Sequence, residues 1–530
     1  MADYRVGIDV GGTFTDGVLV REEEVITKSK TKTTEDVTTG IINAIDNILE
    51  KADIDPSEIA MVSLATTHTT NAIIERKGLD KVGMFRLASP TGTTIPPLTG
   101  WPEDLKEALG GKDNIKLIKG GYDYDGTEIS ELDEEAIRKG AREMADRVNS
   151  VAIVGVFSPI RSDQENRAAE IIKEEMDDVL ITKSTEIATI SLLKRENSAI
   201  LNASIASVMK RAINAIRSAL ESRDIDAELF IMQNDGSVLA ADYASKYPIF
   251  TVASGPAASI RGSVFLSGIT DGVVIDVGGT STDIGYIVDG FPRESAMSVD
   301  IGGVKTNIRA PDLTSVALGG GTIVKADGDN FSDLGPESAA LNLQTLAKSY
   351  GGPMTTVHDI AVHSGRLSEN YDIFETPYAT DLDNVKKMSD DFVKDAWDAI
   401  KKRVEKTIDE MKTSPEDIPA VMVGGGSTVV PENYNGTSET IHPEHFEVAG
   451  ALGATIAEIS AYAENVIDLN HINREEGIEQ TIEMAKDNLV RNGADRESAD
   501  VLDVEEIPFT YMPGEREKIR VKVKGKYGGV

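Results

Sequence analysis

Ile8-Asp9-Val10-Gly11-Gly12-Thr13-Phe14-Thr15-Asp16 returns later in the chain as Ile275-Asp276-Val277-Gly278-Gly279-Thr280-Ser281-Thr282-Asp283, with eight of nine letters unchanged. Each copy follows a short strand-like run (residues 4–8 and 272–275) and leads into another apolar run (17–20 and 284–288), the pattern of a β-hairpin with glycines at its turn. Glycine amides can approach an anion closely, and Thr13, Thr15, Thr280 and Thr282 offer hydroxyls. Asp9 and Asp276, at strand ends, can hold hydrated Mg²⁺ or Mn²⁺. A single copy reads better as a tight turn in which Gly supplies φ > 0. Two copies, each opening with Asp, favour two phosphate cradles facing one triphosphate from opposite lobes. No GxxxxGK[ST] occurs, and the glycines sit in a hairpin rather than ahead of a helix, so neither a P-loop nor a dinucleotide fingerprint is present.

Outward from the first hairpin, helical and strand patterns alternate: helix at 38–51, buried strands at 61–65 and 151–157, an amphipathic helix at 164–176. Alternation of this kind implies an α/β layer structure. A long helix at 199–222 leaves the first lobe. Strands at 228–232 and 272–275 are expected in the second, followed by a helix at 386–412 and a strand at 420–423. The division expected is 1–190, 191–465 and an appended helical and strand-rich tail, 466–530. A third glycine run, Gly424-Gly425-Gly426-Ser427, is placed to pass under a nucleotide's sugar and α-phosphate, and a fourth, Gly319-Gly320-Gly321, is a further anion-loop candidate. Two small-residue segments, 254–258 and 449–454, suit close helix approach or a hinge.

Composition narrows the chemistry. The 530 residues include no Cys, which excludes disulfides, thiolate metal sites and a cysteine nucleophile. With 54 Lys+Arg against 89 Asp+Glu, the formal charge of -35 repels nucleic acid and anionic membranes, and 5% aromatic residues leave little for bases to stack on. No signal-peptide pattern and no apolar stretch near the roughly 18–20 residues of a spanning helix occur, so a soluble cytoplasmic protein is expected.

The order of two DxGGTxTD cradles, a GGG loop and small-residue connecting helices resembles the actin, sugar kinase and Hsp70 superfamily of ATPases, with its two-lobed, RNase H-like fold. Within it the chain resembles the hydantoinase/oxoprolinase A family in its short form. The resemblance is carried by Ala65-Thr66-Thr67-His68-Thr69-Thr70-Asn71-Ala72, Phe157-Ser158-Pro159 with Glu165, Leu193-Lys194-Arg195-Glu196-Asn197-Ser198 with Asn202-Ala203, Gln233-Asn234-Asp235-Gly236, and Ile507-Pro508 to Pro513-Gly514. Larger relatives have His-Gly where this chain has Leu64-Ala65, and a Thr-Asp-Ala segment where it has Val357-His358-Asp359-Ile360.

The resemblance implies an ATP-dependent amidohydrolase subunit that phosphorylates a hydantoin, 5-oxoproline or related lactam and works with a B-type subunit as a hetero-oligomer. Asp9, Asp276, Thr13, Thr280 and His68 would be catalytic. Gly11, Gly12, Thr13, Thr15, Gly278, Gly279, Thr280, Thr282, Gly424, Gly425, Gly426 and Ser427 would hold ATP, with the metal at Asp9 and Asp276. Thr66, Thr67, His68, Asn71 and Arg195 would face the substrate. His68 reads equally as a half-buried structural residue. Arg195 and Glu196 read as a carboxylate clamp or as a pair with each other, and His442-Pro443-Glu444-His445 lacks a third metal ligand. The loop at 318–322 and the tail are candidate docking elements. An acetone carboxylase-type subunit, a small-molecule kinase and an actin-type nucleotide-switched assembly protein are the alternatives.

Overall fold

The computed structural model describes residues 4–34, 37–188, 191–295, 299–367, 382–508 and 515–527; Pro513-Gly514 lies outside them. Both copies of the repeat form hairpins in the same register. In the first, β1 (Tyr4–Val10) runs antiparallel to β2 (Phe14–Arg21), with Asp9 opposite Asp16. β3 (Glu24–Lys32) pairs antiparallel with β2, and β4 (Ile59–Thr66) pairs parallel with β1. Residues 82–183 fold into a parallel α/β layer. Its strands β5 (Val82–Ser89), β6 (Ile115–Lys119), β7 (Ser150–Gly155) and β8 (Leu180–Lys183) stand in the order β6-β5-β7-β8.

After the helix Leu192–Glu221, two turns longer at its start than the periodicity predicts, come β9 (Glu228–Met232) and β10 (Val238–Ala240). The second hairpin is β11 (Gly272–Val277) and β12 (Thr282–Val288), with Asp276 opposite Asp283. β11 pairs parallel with Ile418–Val423, as β1 does with β4. The α/β architecture with duplicated hairpins is therefore the one expected from the sequence.

Strand membership differs from expectation. β9 joins β4 of the first hairpin's sheet rather than the second lobe. Its Leu229 to Met232 are all buried, and a strand covered on both faces needs a central place. The tail is no appendage: Arg516–Gly525 pairs along the whole of Ile459–Asp468, and a nine-stranded sheet runs from Asp500–Pro508 through these two strands to β10, β9, β4, β1, β2 and β3. Strands from either side of residues 190 and 465 thus share one sheet. The tail strand alternates buried and partly exposed residues, with Ile519, Val521 and Val523 packed beneath the helix Arg474–Arg491.

Between the hairpin sheets lie the small-residue helices Ser254–Ser267 and Ala449–Ile456. A Cβ on Gly262 would sit 1.9 Å from the Ala449 carbonyl oxygen, and one on Gly453 would sit 1.9 Å from that of Ala258, so glycine is what lets these backbones touch. Gly7 of β1 makes the same allowance for the second helix, at the Ala451 carbonyl. Among the described residues, no helix is long and apolar enough to cross a membrane.

Candidate functional site

Each hairpin turn closes through one backbone bond, Gly11 N–H to Phe14 O at 3.0 Å and Gly278 N–H to Ser281 O at 2.9 Å. None of Gly11, Gly12, Gly278 and Gly279 adopts positive φ. A Cβ on Gly11 or Gly278 would crowd the turn's own carbonyl, Phe14 O at 3.2 Å and Ser281 O at 3.3 Å, whereas at Gly12 and Gly279 the physical reason that remains is the bare backbone that glycine presents. A Cβ on Gly12 would meet nothing within 4 Å, and one on Gly279 would meet only Thr13 Oγ1, at 3.8 Å. The two turns face each other across a cleft of ≈ 370 Å³. Asp9, Gly11, Gly12 and Thr13 line one side, Asp276, Gly278, Gly279 and Thr280 the other, and Gly424 to Gly426 close one end. Each aspartate abuts a glycine from a distant segment: a Cβ on Gly450 would lie 2.1 Å from Asp9 Oδ2, and one on Gly424 2.2 Å from Asp276 Oδ1.

Four carboxylates stand together here. Burial pushes the Asp9 carboxyl well up, with further repulsion from Asp16 and Asp276. Burial likewise raises Asp16, against the pull of Lys30, and Asp283. Asp276 is pushed up to about 6 by burial and by Asp283 and Asp16, against a hydrogen bond from Ser259. Half-buried acids whose ionised form is disfavoured in this way are sites where a bound cation recovers the electrostatic cost. Among the described residues no three His, Asp or Glu side chains converge as ligands, so a metal held by Asp9 and Asp276 would have to take most of its shell from phosphate and water.

Strand alternation corrects several expected contacts. Thr15 and Thr282 are fully buried on the opposite face, Thr15 Oγ1 3.3 Å from Thr33 Oγ1 and Thr282 Oγ1 donating to the Leu318 carbonyl at 2.5 Å. Their neighbours Asp16 and Asp283 reach the cleft instead, as a side-chain period of two demands. Ser427 is buried too; its hydroxyl donates to Gly424 O at 2.8 Å and lies 2.8 Å from His442 Nε2, which shapes the glycine loop. His442 itself packs against the Phe446 ring at a tilt of 33°. The loop 318–322 is buried rather than a docking surface, and its amides are used: Gly320 N–H donates to Gly278 O and Gly321 N–H to Gly279 O, bracing the second turn.

Of the segment expected to face a substrate, Thr67 reaches the cleft wall. Its hydroxyl donates to Val10 O and accepts from Asn71 Nδ2. Thr66 is buried and accepts from the His68 backbone N–H, which opens the helix His68–Glu75. Arg195 is buried away from the cleft, donating to Ser184 Oγ and Gly155 O. Glu196 pairs with Arg86 through two 2.6 Å bonds, both side chains 1% exposed, and neither Arg195 nor Glu196 lines the cleft. Cleft residues to which the sequence reading gave no role include Asp16, Asp283, Lys30 and Lys32 of β3, and His358, which stacks on Tyr350 and whose imidazole pKa burial pushes down.

Comparison with known proteins places this geometry. The sequence matches the hydantoinase/oxoprolinase N-terminal region over residues 5–176 and hydantoinase/oxoprolinase over residues 195–463. It is 28% identical over 395 residues to the caprolactamase subunit alpha of Pseudomonas jessenii, covering 69% of this chain and 55% of that one. It is 27% identical over 396 residues to the acetophenone carboxylase gamma subunit of Aromatoleum aromaticum, covering 68% and 53%. The chain thus spans about half the length of these relatives. The crystal structure of the ATP-dependent caprolactamase from Pseudomonas jessenii superposes with a TM-score of 0.78 at 19% identity, over 98% of this chain and 87% of that one, which speaks for the fold.

Proposed function

Because the chain belongs to the hydantoinase/oxoprolinase family, we propose that it is the nucleotide-binding subunit of an ATP-dependent enzyme that opens a cyclic amide such as a hydantoin, 5-oxoproline or another lactam. The observation that carries the reading is the pair of glycine turns facing each other across one cleft, each beside a half-buried aspartate. Backbone amides of the two turns, Thr13 and Thr280 would hold the polyphosphate, and Gly424 to Gly426 would pass beneath the sugar. A divalent ion at Asp9 and Asp276 would neutralise phosphate charge.

Amide resonance makes the carbonyl carbon a poor electrophile. Transfer of the terminal phosphoryl to the amide carbonyl oxygen gives an O-phosphorylated imidate. Water adds to its carbon, the C–N bond of the adduct breaks as the ring nitrogen takes a proton, and the resulting acyl phosphate is hydrolysed by a second water, which releases phosphate and leaves the opened amino acid. The Ser427 hydroxyl, 2.8 Å from His442 Nε2, is buried and already donates to Gly424 O, and we assign the water step to a second, B-type subunit. The acetophenone carboxylase relative favours one other reading, in which the same cleft phosphorylates an enolate or bicarbonate for carboxylation.

Two measurements test the proposal. Mg-ATP at a hundredfold excess over its dissociation constant should stabilise the chain by about 2.7 kcal/mol, since it binds only the folded form. An ADP-release screen against hydantoins, lactams, and ketones with bicarbonate, with and without the product of the neighbouring gene, should show release with cyclic amides and only when both chains are present. An unchanged melting temperature in saturating Mg-ATP would refute nucleotide binding; efficient lactam opening by this chain alone would refute the two-subunit scheme; release with ketones alone would favour the carboxylase.

A further inference from the structure

The two sides of the cleft are chemically unequal, and the inequality follows strand register. Asp9 lies opposite Asp16, and Asp16 lies opposite Lys30 on β3, so the three side chains form one row on one face of the sheet. The equivalent row of the second hairpin is Asp276, Asp283 and, on the neighbouring strand Leu313–Val316, Ser315. The acids are duplicated and the cation is not. Lys30 Nζ sits 2.6 Å from Asp16 Oδ1 with 16% of its side chain exposed, and 5.1 Å from the centroid of the Phe14 ring. Phe14 is the single letter by which the two nine-residue copies differ, Ser281 standing at its place in the second. The aromatic residue and the lysine it supports are thus one device, present in one copy.

Position and charge say what the device can do. The cleft wall carries Asp9, Asp16, Asp276, Asp283 and Glu447 against two ammonium groups, Lys30 and the exposed Lys32. The charge of Lys30 is felt at both Asp9 and Asp276, so its field spans the gap between the turns. A polyphosphate entering this acid-lined space gains most where a fixed cation waits, and phosphoryl transfer concentrates negative charge at the terminal group and the bridging oxygen. Taking the cleft as the nucleotide site proposed above, we infer that Lys30 is a catalytic residue that contacts the terminal phosphoryl group, which makes the first turn the transferring end of the cleft and the second the holding end. In the step itself the bond from the terminal phosphorus to the β,γ-bridging oxygen breaks, its electron pair leaving with the nucleoside diphosphate, while a lone pair of the acceptor oxygen forms the new P–O bond. Lys30 neither gives nor takes a proton. Its ammonium, oriented beforehand by Asp16 and Phe14, opposes the charge on the oxygens in flight.

The test compares nucleotides that differ by the terminal phosphoryl. Dissociation constants for Mg-ADP and for the Mg complex of the β,γ-imido ATP analogue are measured by calorimetry on wild type, Lys30→Met and Lys30→Arg. Lys30→Met should leave ADP affinity within about threefold and cut affinity for the analogue tenfold or more, the scale of one charge-assisted hydrogen bond. Lys30→Arg should recover part of the difference. Phe14→Ser, which keeps the lysine but removes its support, should shift the ratio in the same direction by less, and it carries the test if Lys30→Met does not fold. Equal losses for both nucleotides, or no loss, would overturn the role of Lys30 and leave the nucleotide cleft standing. Failure of the wild-type chain to bind either nucleotide would overturn both.

Discussion

Asp276 sits where burial and two neighbouring acids push its carboxyl up to about 6. A folded-state pKa above the ordinary value near 3.8 means that the folded chain binds a proton more readily than the unfolded one. The stability this contributes is full below about pH 4 and is lost as pH rises toward and through about 6. Asp276→Asn removes the charge and keeps the shape. The ligand-free variant should melt above wild type at pH 7.5 and close to it at pH 4, while ATP turnover falls about a hundredfold, the scale of losing one preorganised electrostatic group. A variant that melts lower at pH 7.5, by scanning calorimetry, would show that the ionised carboxylate does not strain the empty site. Asp9 and Asp276 were legible in the sequence because the repeat marks them twice. Thr15 and Thr282 were misassigned because a motif read as a string ignores that adjacent strand residues face opposite ways. Lys30 was hidden because it joins the row through the pairing of β2 with β3, a register that shows only once the strands are paired.

At the scale of elements, the helix Ala449–Ile456 does two separable things. Gly453 lets it touch the helix Ser254–Ser267, where an added methyl would collide with the Ala258 carbonyl oxygen and the Gly262 nitrogen, backbone atoms with no room to yield. Gly450, one turn earlier, makes space for the Asp9 carboxylate. Gly453→Ala should therefore cost about 1–3 kcal/mol in urea unfolding, the usual price of overpacking. Gly450→Ala displaces a side chain rather than backbone; it should change stability less and weaken Mg-ATP binding tenfold or more by calorimetry. The opposite ranking would mean that the helix holds the site only through its packing. The sequence told of close helix approach through its run of small residues, and it told of both hairpins. It did not tell that β9 belongs beside β4, because a short run of buried residues fits a central strand of either sheet equally well.

Over the whole molecule, the sheet of the first hairpin is completed from far along the chain. Lys522, on the tail strand, lies 2.9 Å from Asp235 in the turn that links β9 to β10. Burial raises the Asp235 carboxyl, but the Lys522 ammonium and the Ser237 hydroxyl and amide outweigh it and hold the group well below the usual carboxylate range. Stability from a depressed carboxyl is present above its ordinary value and disappears as pH falls below about 4. Asp235→Asn removes the nearer counter-charge of Lys522 and leaves it Glu294 at 4.0 Å; it should cost about 1–3 kcal/mol in urea unfolding at pH 7, with the gap to wild type closing as pH drops below about 3.5. An unchanged gap across that range would show that the pair does not fasten the tail. This stitching also bears on how the protein is made. β1, β2 and β4 can pair early, but the open flank of β9 and β10 waits for Ile459–Asp468, and that strand in turn waits for Arg516–Gly525. At about 5–20 residues per second, a ribosome needs from about 25 to about 100 s to reach the last of these strands. For roughly half of that time, once β10 has been made, the growing polypeptide carries an uncapped apolar sheet edge, so trigger-type chaperones and slow, cool expression should raise the yield of native protein more than any change to its surface.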